Sequence, residues 1–171
     1  MIFISGVHGV GKSYFCDIVK ESLGINTYTA SSLIADEKKQ YFSSDKLSVD
    51  IEDNQYHLLN AVKRLESAGN KYILDGHFCL LNSKKEIVRI GIDTFLNLQL
   101  QAIVLLTEKP EIIAERRKIR DGVICALGEI ASFQNEEEIY AKEVSETLSA
   151  KLMITHGKDD LNSAINFIKS I

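Results

Sequence analysis

The stretch Met1-Ile2-Phe3-Ile4-Ser5-Gly6-Val7-His8-Gly9-Val10-Gly11-Lys12-Ser13 decides the reading of this chain. Met1 to Ser5 is a short apolar run of strand type. Gly6 to Ser13 fits the pattern Gly-x-x-x-x-Gly-Lys-Ser/Thr. Strand, glycine-rich loop and helix in that order make a phosphate-binding loop. The glycines let successive backbone N–H groups, from His8 through Gly9, Val10 and Gly11, turn toward one anion. The positive end of the following helix adds to the same field. Lys12 is expected to reach the β- and γ-phosphates of a nucleoside triphosphate, and the Ser13 hydroxyl to ligate Mg²⁺. Tyr14, next on the helix, is a further candidate contact to the nucleotide. A plain glycine turn before a helix is the alternative, but it does not require Gly11, Lys12 and Ser13 together.

Working outward, residues 12–23 carry Tyr14, Phe15, Ile18, Val19 and Leu23 at helical spacing, with Gly24 as the stop. Residues 25–29 are a β-prone run. Ser31 and Ser32 are placed to cap a helix of about 31–40. Residues 43–50 are polar and read as a loop. Asp53 to Ala68 reads as a helix with Tyr56, Leu59, Val62 and Leu65 on one face. Tyr72-Ile73-Leu74-Asp75-Gly76 is an apolar strand that stops on an acid. Residues 85–99 look helical but broken. Ala102 to Leu106 is wholly apolar, as in a strand buried on both faces of a parallel sheet. Pro110 to Arg120 is a helix with proline in its first turn. Residues 121–133 give no assignment. Helices are expected at 136–150 and 159–168, with a strand at 152–155 between them. Strands alternating with helices imply a doubly wound, mostly parallel five-stranded α/β sheet. Ligands then bind beyond the strand C-termini, where Gly6 and Asp75 both fall.

A length of 171 residues suggests one domain with room for a core. The formal net charge of −4 gives no electrostatic case for nucleic acid or a membrane surface. No apolar run approaches the ~18 residues of a membrane span. No charged segment precedes an apolar one at the N-terminus, so a cytoplasmic location is expected. Cys16, Cys79 and Cys125 are odd in number and show no Cys-x-x-Cys spacing, which points to free thiols rather than disulfides or zinc. His8, His57, His77 and His156 likewise lack metal-ligand spacing.

Two further clusters belong with the loop. Asp75, at a strand end, is positioned to hold Mg²⁺ or its water opposite Ser13. A turn or cap aspartate is the other reading. Arg116-Arg117-Lys118-Ile119-Arg120-Asp121 is a basic run in which Arg116 and Arg120 share a helix face. Phosphoryl transfer needs cations around the moving group, and arginine offers planar paired donors. A solvated face paired with Glu111 and Glu115 is the alternative.

These three segments, in this order and spacing, resemble the nucleoside-monophosphate kinase group of P-loop kinases, especially the small-lid, adenylate-kinase-like members. The resemblance covers essentially the whole chain. It implies a single P-loop kinase domain with a short lid near 116–133 and an acceptor-binding region near 31–60. It implies ATP and Mg²⁺ as cofactors and a small, nucleotide-like acceptor, first among them a nucleoside monophosphate. It implies that Arg116 sits near the adenine or its phosphates, that Arg120 stabilises the transferring phosphoryl from the lid, and that His156-Gly157 packs against the base. Lys12 and Asp75 complete the catalytic set.

The chain departs from that pattern on the acceptor side. Asp75-Gly76 is followed by His77-Phe78-Cys79, without the family's proline and arginine. The helix after the second strand offers Lys38 and Lys39 but no arginine. Acceptor-site candidates are therefore Ser31, Ser32, Lys46 and His77, with Arg89 as a substitute cation and Asp36 as a possible base. An acceptor without a phosphate, such as a nucleoside, a sugar or a polynucleotide 5′-hydroxyl, is the alternative. So is a nucleotide-gated ATPase switch acting on a protein partner, although the chain is short for an AAA+ module and lacks an Asn-Lys-x-Asp motif.

Overall fold

A computed structural model describes residues 1–41, 51–67, 69 and 71–171. β1 (Ile2–Ser5) runs into the glycine loop and then α1 (Lys12–Leu23), which ends on Gly24 in the left-handed conformation. β2 (Asn26–Thr29), α2 (Ala30–Tyr41), α3 (Ile51–Ser67) and β3 (Tyr72–Asp75) follow. A two-stranded excursion, β4 (Cys79–Leu81) and β5 (Ile87–Arg89), precedes α4 (Ile92–Leu98). β6 (Ala102–Thr107), α5 (Pro110–Asp121), α6 (Leu127–Leu148), β7 (Lys151–His156) and α7 (Leu161–Lys169) complete the chain.

The main sheet has the order β2-β3-β1-β6-β7, all parallel. Every residue of β1, β3 and β6 is buried, so helices cover both faces, as the continuous apolar runs require. α1 packs against α7, while α3, α4 and α6 contact one another in series. Phe3, Phe78, Phe95 and Tyr140 interlock edge-on and tilted between the β1–β3 edge and α6, with neighbouring centroids 4.9–6.2 Å apart. Among the described residues no helix is long and apolar enough to cross a membrane.

Three expectations need correction. Residues 85–99 are not one broken helix: Ile87–Arg89 pairs antiparallel with Cys79–Leu81, and only Ile92–Leu98 is helical. The long helix of the C-terminal third starts at Leu127 rather than at Glu136. Ser31 and Ser32 do not cap α2 from outside. The Thr29 hydroxyl accepts the Ser32 N–H at 3.2 Å and donates to Ser32 Oγ at 2.6 Å, so Thr29 is the cap. Lys46 and the loop expected at 43–50 lie outside the described residues. Cys16, Cys79 and Cys125 are free thiols.

Candidate active site

Parallel register brings the strand ends together. Ile4 pairs with Asp75, Ser5 with Leu105, and Thr107 with His156, so Ser5, Asp75 and Thr107 share one edge of the sheet. β1 is central, and the chain leaves it toward β2 before returning to β3 and later to β6. The glycine loop therefore stands at the crevice of a doubly wound sheet.

The loop needs its glycines for space as well as for turning. Gly6 has φ +142°, and a Cβ there would stand 2.5 Å from the Leu106 carbonyl oxygen. Gly9 has φ +88°, and a Cβ would stand 2.7 Å from Cγ of Arg117. Lys12 is buried, and its Nζ curls back to donate to Gly6 O at 2.6 Å and to His77 Nε2 at 3.0 Å. Burial lowers the Lys12 pKa, opposed by Asp75 and Glu137. Ser13 and Tyr14, at the start of α1, are exposed beside the loop.

Asp75 is buried at the end of β3, and its Oδ1 has no hydrogen-bond partner among the described residues. Burial pushes its carboxyl up to about 6, opposed by Lys12. An orphaned, desolvated carboxylate beside a phosphate loop fits a divalent cation, which would supply the missing partner. His77 is pushed down to about 2 by burial and by Lys12 and His8, so it is neutral; its bare Nε2 accepts from Lys12. The His8 ring lies against it, with centroids 4.4 Å apart.

Glu137 was not singled out by the sequence, where it sits within Glu136-Glu137-Glu138. It is fully buried. One of its oxygens accepts Ser5 Oγ at 2.8 Å; its carboxylate also takes the Phe78 N–H at 3.0 Å and the Cys79 N–H at 2.9 Å. It thus ties α6 to the turn that carries His77.

On the other side of the loop lies a cavity of about 300 Å³, with Val10, Gly11, Tyr14, Leu106, Arg116 and Gly157 in its wall. Arg116 donates to Val10 O at 2.7 Å and pairs with Glu108 at 3.2 Å. Gln134 exchanges two hydrogen bonds with the Glu108 backbone, at 3.1 and 3.0 Å. Gly157 and Lys158 reach the cavity, while the His156 side chain is turned to Thr107, Nδ1 to Oγ1 2.8 Å. Since Thr107 donates to Thr155 O, it accepts from His156.

The remaining cations are dispersed. Arg120 is exposed and paired with Asp121 at 2.7 Å. Arg117, not chosen by spacing, is the arginine whose stem covers Gly9. Arg89 is held by Glu136 and Glu143, both at 2.6 Å, away from the loop. Arg64 pairs with the fully buried Glu37, and Lys38 pairs with Asp53 at 2.9 Å. Asp36 is exposed and pairs with Lys39. Ser31 and Ser32 are exposed at the start of α2.

A central β1, a glycine loop on the N-terminus of α1 and a strand-end acid beside its lysine define a P-loop protein of kinase-like fold. The chain belongs to the family described as AAA domain, whose model matches residues 5–139. Its length is therefore no obstacle to that family. The fold is shared with shikimate kinase from Acinetobacter baumannii, solved with shikimate, at 14% identity and a TM-score of 0.58 over 99% of this chain and 92% of that one. A gluconokinase from Sinorhizobium meliloti 1021 matches at 18% identity and a TM-score of 0.53 over 96% and 86%. A sugar kinase from Janibacter sp. HTCC2649 matches at 14% and 0.55 over 99% and 91%. At such identities the likeness is one of fold. No curated protein matches the sequence.

Proposed function

We propose that this protein is an ATP- and Mg²⁺-dependent phosphotransferase acting on a small-molecule acceptor. The observation that carries the reading is the triad of Lys12, Asp75 and His77 at the loop: a buried ammonium, an orphaned carboxylate and a neutral imidazole at one strand edge. ATP would supply the γ-phosphoryl group, and Mg²⁺ would neutralise charge as it moves. Lys12 and the loop N–H groups hold the phosphates; Ser13 and Asp75 hold the metal. Arg116, fixed by Val10 and Glu108, closes the wall of the base pocket beside Tyr14 and Gly157. Arg120 belongs to the segment expected to close over the reaction and exclude water. His77 is neutral and is freed for an acceptor hydroxyl once Lys12 turns to phosphate.

The acceptor we favour carries no phosphate. A nucleoside monophosphate needs clustered arginines, and Arg64 and Arg89 are each tied to carboxylates of the scaffold. The nucleoside monophosphate suggested by the adenylate-kinase-like resemblance is therefore ranked second, and a nucleotide-gated switch third.

The test is ADP formation from ATP·Mg²⁺ with hydroxy acids, sugars, nucleosides, nucleoside monophosphates or no acceptor, for wild type and Lys12→Ala. Acceptor-dependent ADP that disappears in a folded Lys12→Ala is the expected result. Slow ADP formation indifferent to every acceptor would favour the switch.

A further inference from the structure

A second cavity, of about 350 Å³, opens beside the loop. Val7 and His8 form its floor, the β4–β5 hairpin one wall through Leu81, Lys85 and Ile87, and Arg117 another. Phe133 and Glu129 of α6 close it. Among the described residues, none of those expected from sequence to bind the acceptor lines this space. Its size is that of a small-molecule site, about 300 Å³ or more.

Two features mark it as built for an anion on an apolar body. The first is the hairpin turn. Lys85 sits at φ +62°, a left-handed conformation that lysine seldom adopts. Asn82 enforces it: its Oδ1 accepts the N–H of Lys84 and of Glu86, both at 2.9 Å, and its carbonyl accepts the N–H of Lys85 at 2.9 Å. Glycine would suit that backbone better, yet a lysine stands there with its side chain in the cavity wall. The second is Arg117. Its stem rests on Gly9, and its buried Nε has no hydrogen-bond partner among the described residues. Leu81 and Ile87 are left half-exposed beside these cations. Glu129 on the far wall disfavours a dianion.

We propose that this cavity is the acceptor site and that it takes a hydroxylated small molecule with an apolar body and a single carboxylate. Lys85 and Arg117 hold the carboxylate; Leu81, Ile87 and Phe133 hold the body; the hydroxyl faces the floor at His8. The inference rests on the phosphotransferase reading above. In the transfer, the acceptor oxygen bonds to the γ-phosphorus and the bond to the β–γ bridging oxygen breaks. ADP leaves with that electron pair, and the hydroxyl proton passes to solvent water.

Aliphatic and aromatic hydroxycarboxylates, their uncharged alcohol counterparts and nucleoside monophosphates are the probes. Binding is read from the methyl NMR signals of Leu81 and Ile87, and transfer from ADP formation. Lys85→Gly relieves the backbone and so stays folded, while Lys85→Arg restores the charge. A hydroxycarboxylate should shift both methyl signals and stimulate ADP formation, with the alcohol weaker. Lys85→Gly should raise its KM about tenfold more than that of ATP, and Lys85→Arg should recover most of the loss. Methyl shifts that vanish in Lys85→Gly without any ADP would keep the site and sink the phosphotransferase reading. Unmoved methyl signals, an acceptor KM indifferent to Lys85→Gly, or stimulation by nucleoside monophosphates alone would overturn the site.

Discussion

Replacing Asp75 with asparagine should make the nucleotide-free protein more stable and less able to respond to Mg²⁺. The carboxyl is 7% exposed, its Oδ1 has no partner among the described residues, and its pKa is raised from 3.8 to about 6. A raised folded value favours folding only while the group is protonated. That contribution is complete below 3.8 and is lost as pH rises through about 6. Two units at ~1.36 kcal/mol each bound the effect near ~3 kcal/mol. The variant also takes an opposite charge away from Lys12, so we expect a net gain of about 1–2 kcal/mol above pH ~7. For a chain of this size that is a rise in Tm of about 2–8 °C. Near pH ~4 the gain should shrink to about half a kcal/mol or less, since the wild-type group is then protonated in the fold and already about two-fifths protonated in the unfolded chain. The assay is calorimetric unfolding at both pH values, with ATP alone and with ATP·Mg²⁺. Wild type should gain extra Tm from Mg²⁺ through mass action, and Asp75→Asn should not. A variant less stable than wild type at high pH, a difference independent of pH, or an undiminished Mg²⁺ effect would each refute the reasoning.

Other changes separate roles within the site. Glu137→Gln keeps one oxygen for the N–H groups of Phe78 and Cys79 but turns an –NH2 toward Ser5 Oγ in place of an acceptor, and should cost about 1–3 kcal/mol in urea unfolding. An unchanged midpoint would show that the buried carboxylate is replaceable. Gly9→Ala meets both φ +88° and the Arg117 stem, so it should weaken ATP binding about tenfold or more while Tm moves by only a few degrees; equal affinity in titration calorimetry would contradict the tight fit. Arg120→Ala should lower kcat more than ATP affinity, because its guanidinium is exposed and paired with Asp121 rather than with the loop in the nucleotide-free protein. Equal losses in both would assign it to ground-state binding.

The loop and the sheet were legible because their physics is local. A Gly-Lys-Ser spacing and an unbroken apolar strand report themselves within a dozen residues. The β4–β5 hairpin was not legible. Its strands are three residues each, its turn is charged, and Lys85 occupies the left-handed position where a glycine would have signalled a turn. Glu137 hid in an acidic run that reads as a solvated face; only the crossing of α6 over the end of β3 gives it buried donors. Helical spacing paired Arg116 with Arg120, yet it is Arg117 that lies on Gly9, while Arg120 is exposed. Thr29 outcompeted Ser31 and Ser32 as cap because α2 begins directly at the end of β2.

The sheet order also bears on how the chain is made. β1 leaves the ribosome before every other strand of the sheet, yet it lies in the middle, between β3 and β6. Its second neighbour, Ala102–Thr107, is synthesised about a hundred residues later, some 5–20 s behind it at ~5–20 residues per second. Throughout that interval Ile2, Phe3 and Ile4 have no finished sheet to enter. The nascent β1 is thus an apolar strand in search of edges, and a natural client for chaperones that bind extended hydrophobic segments. The phosphate loop, hung from that strand, is made ahead of the rest of the sheet and is among the last parts to take shape.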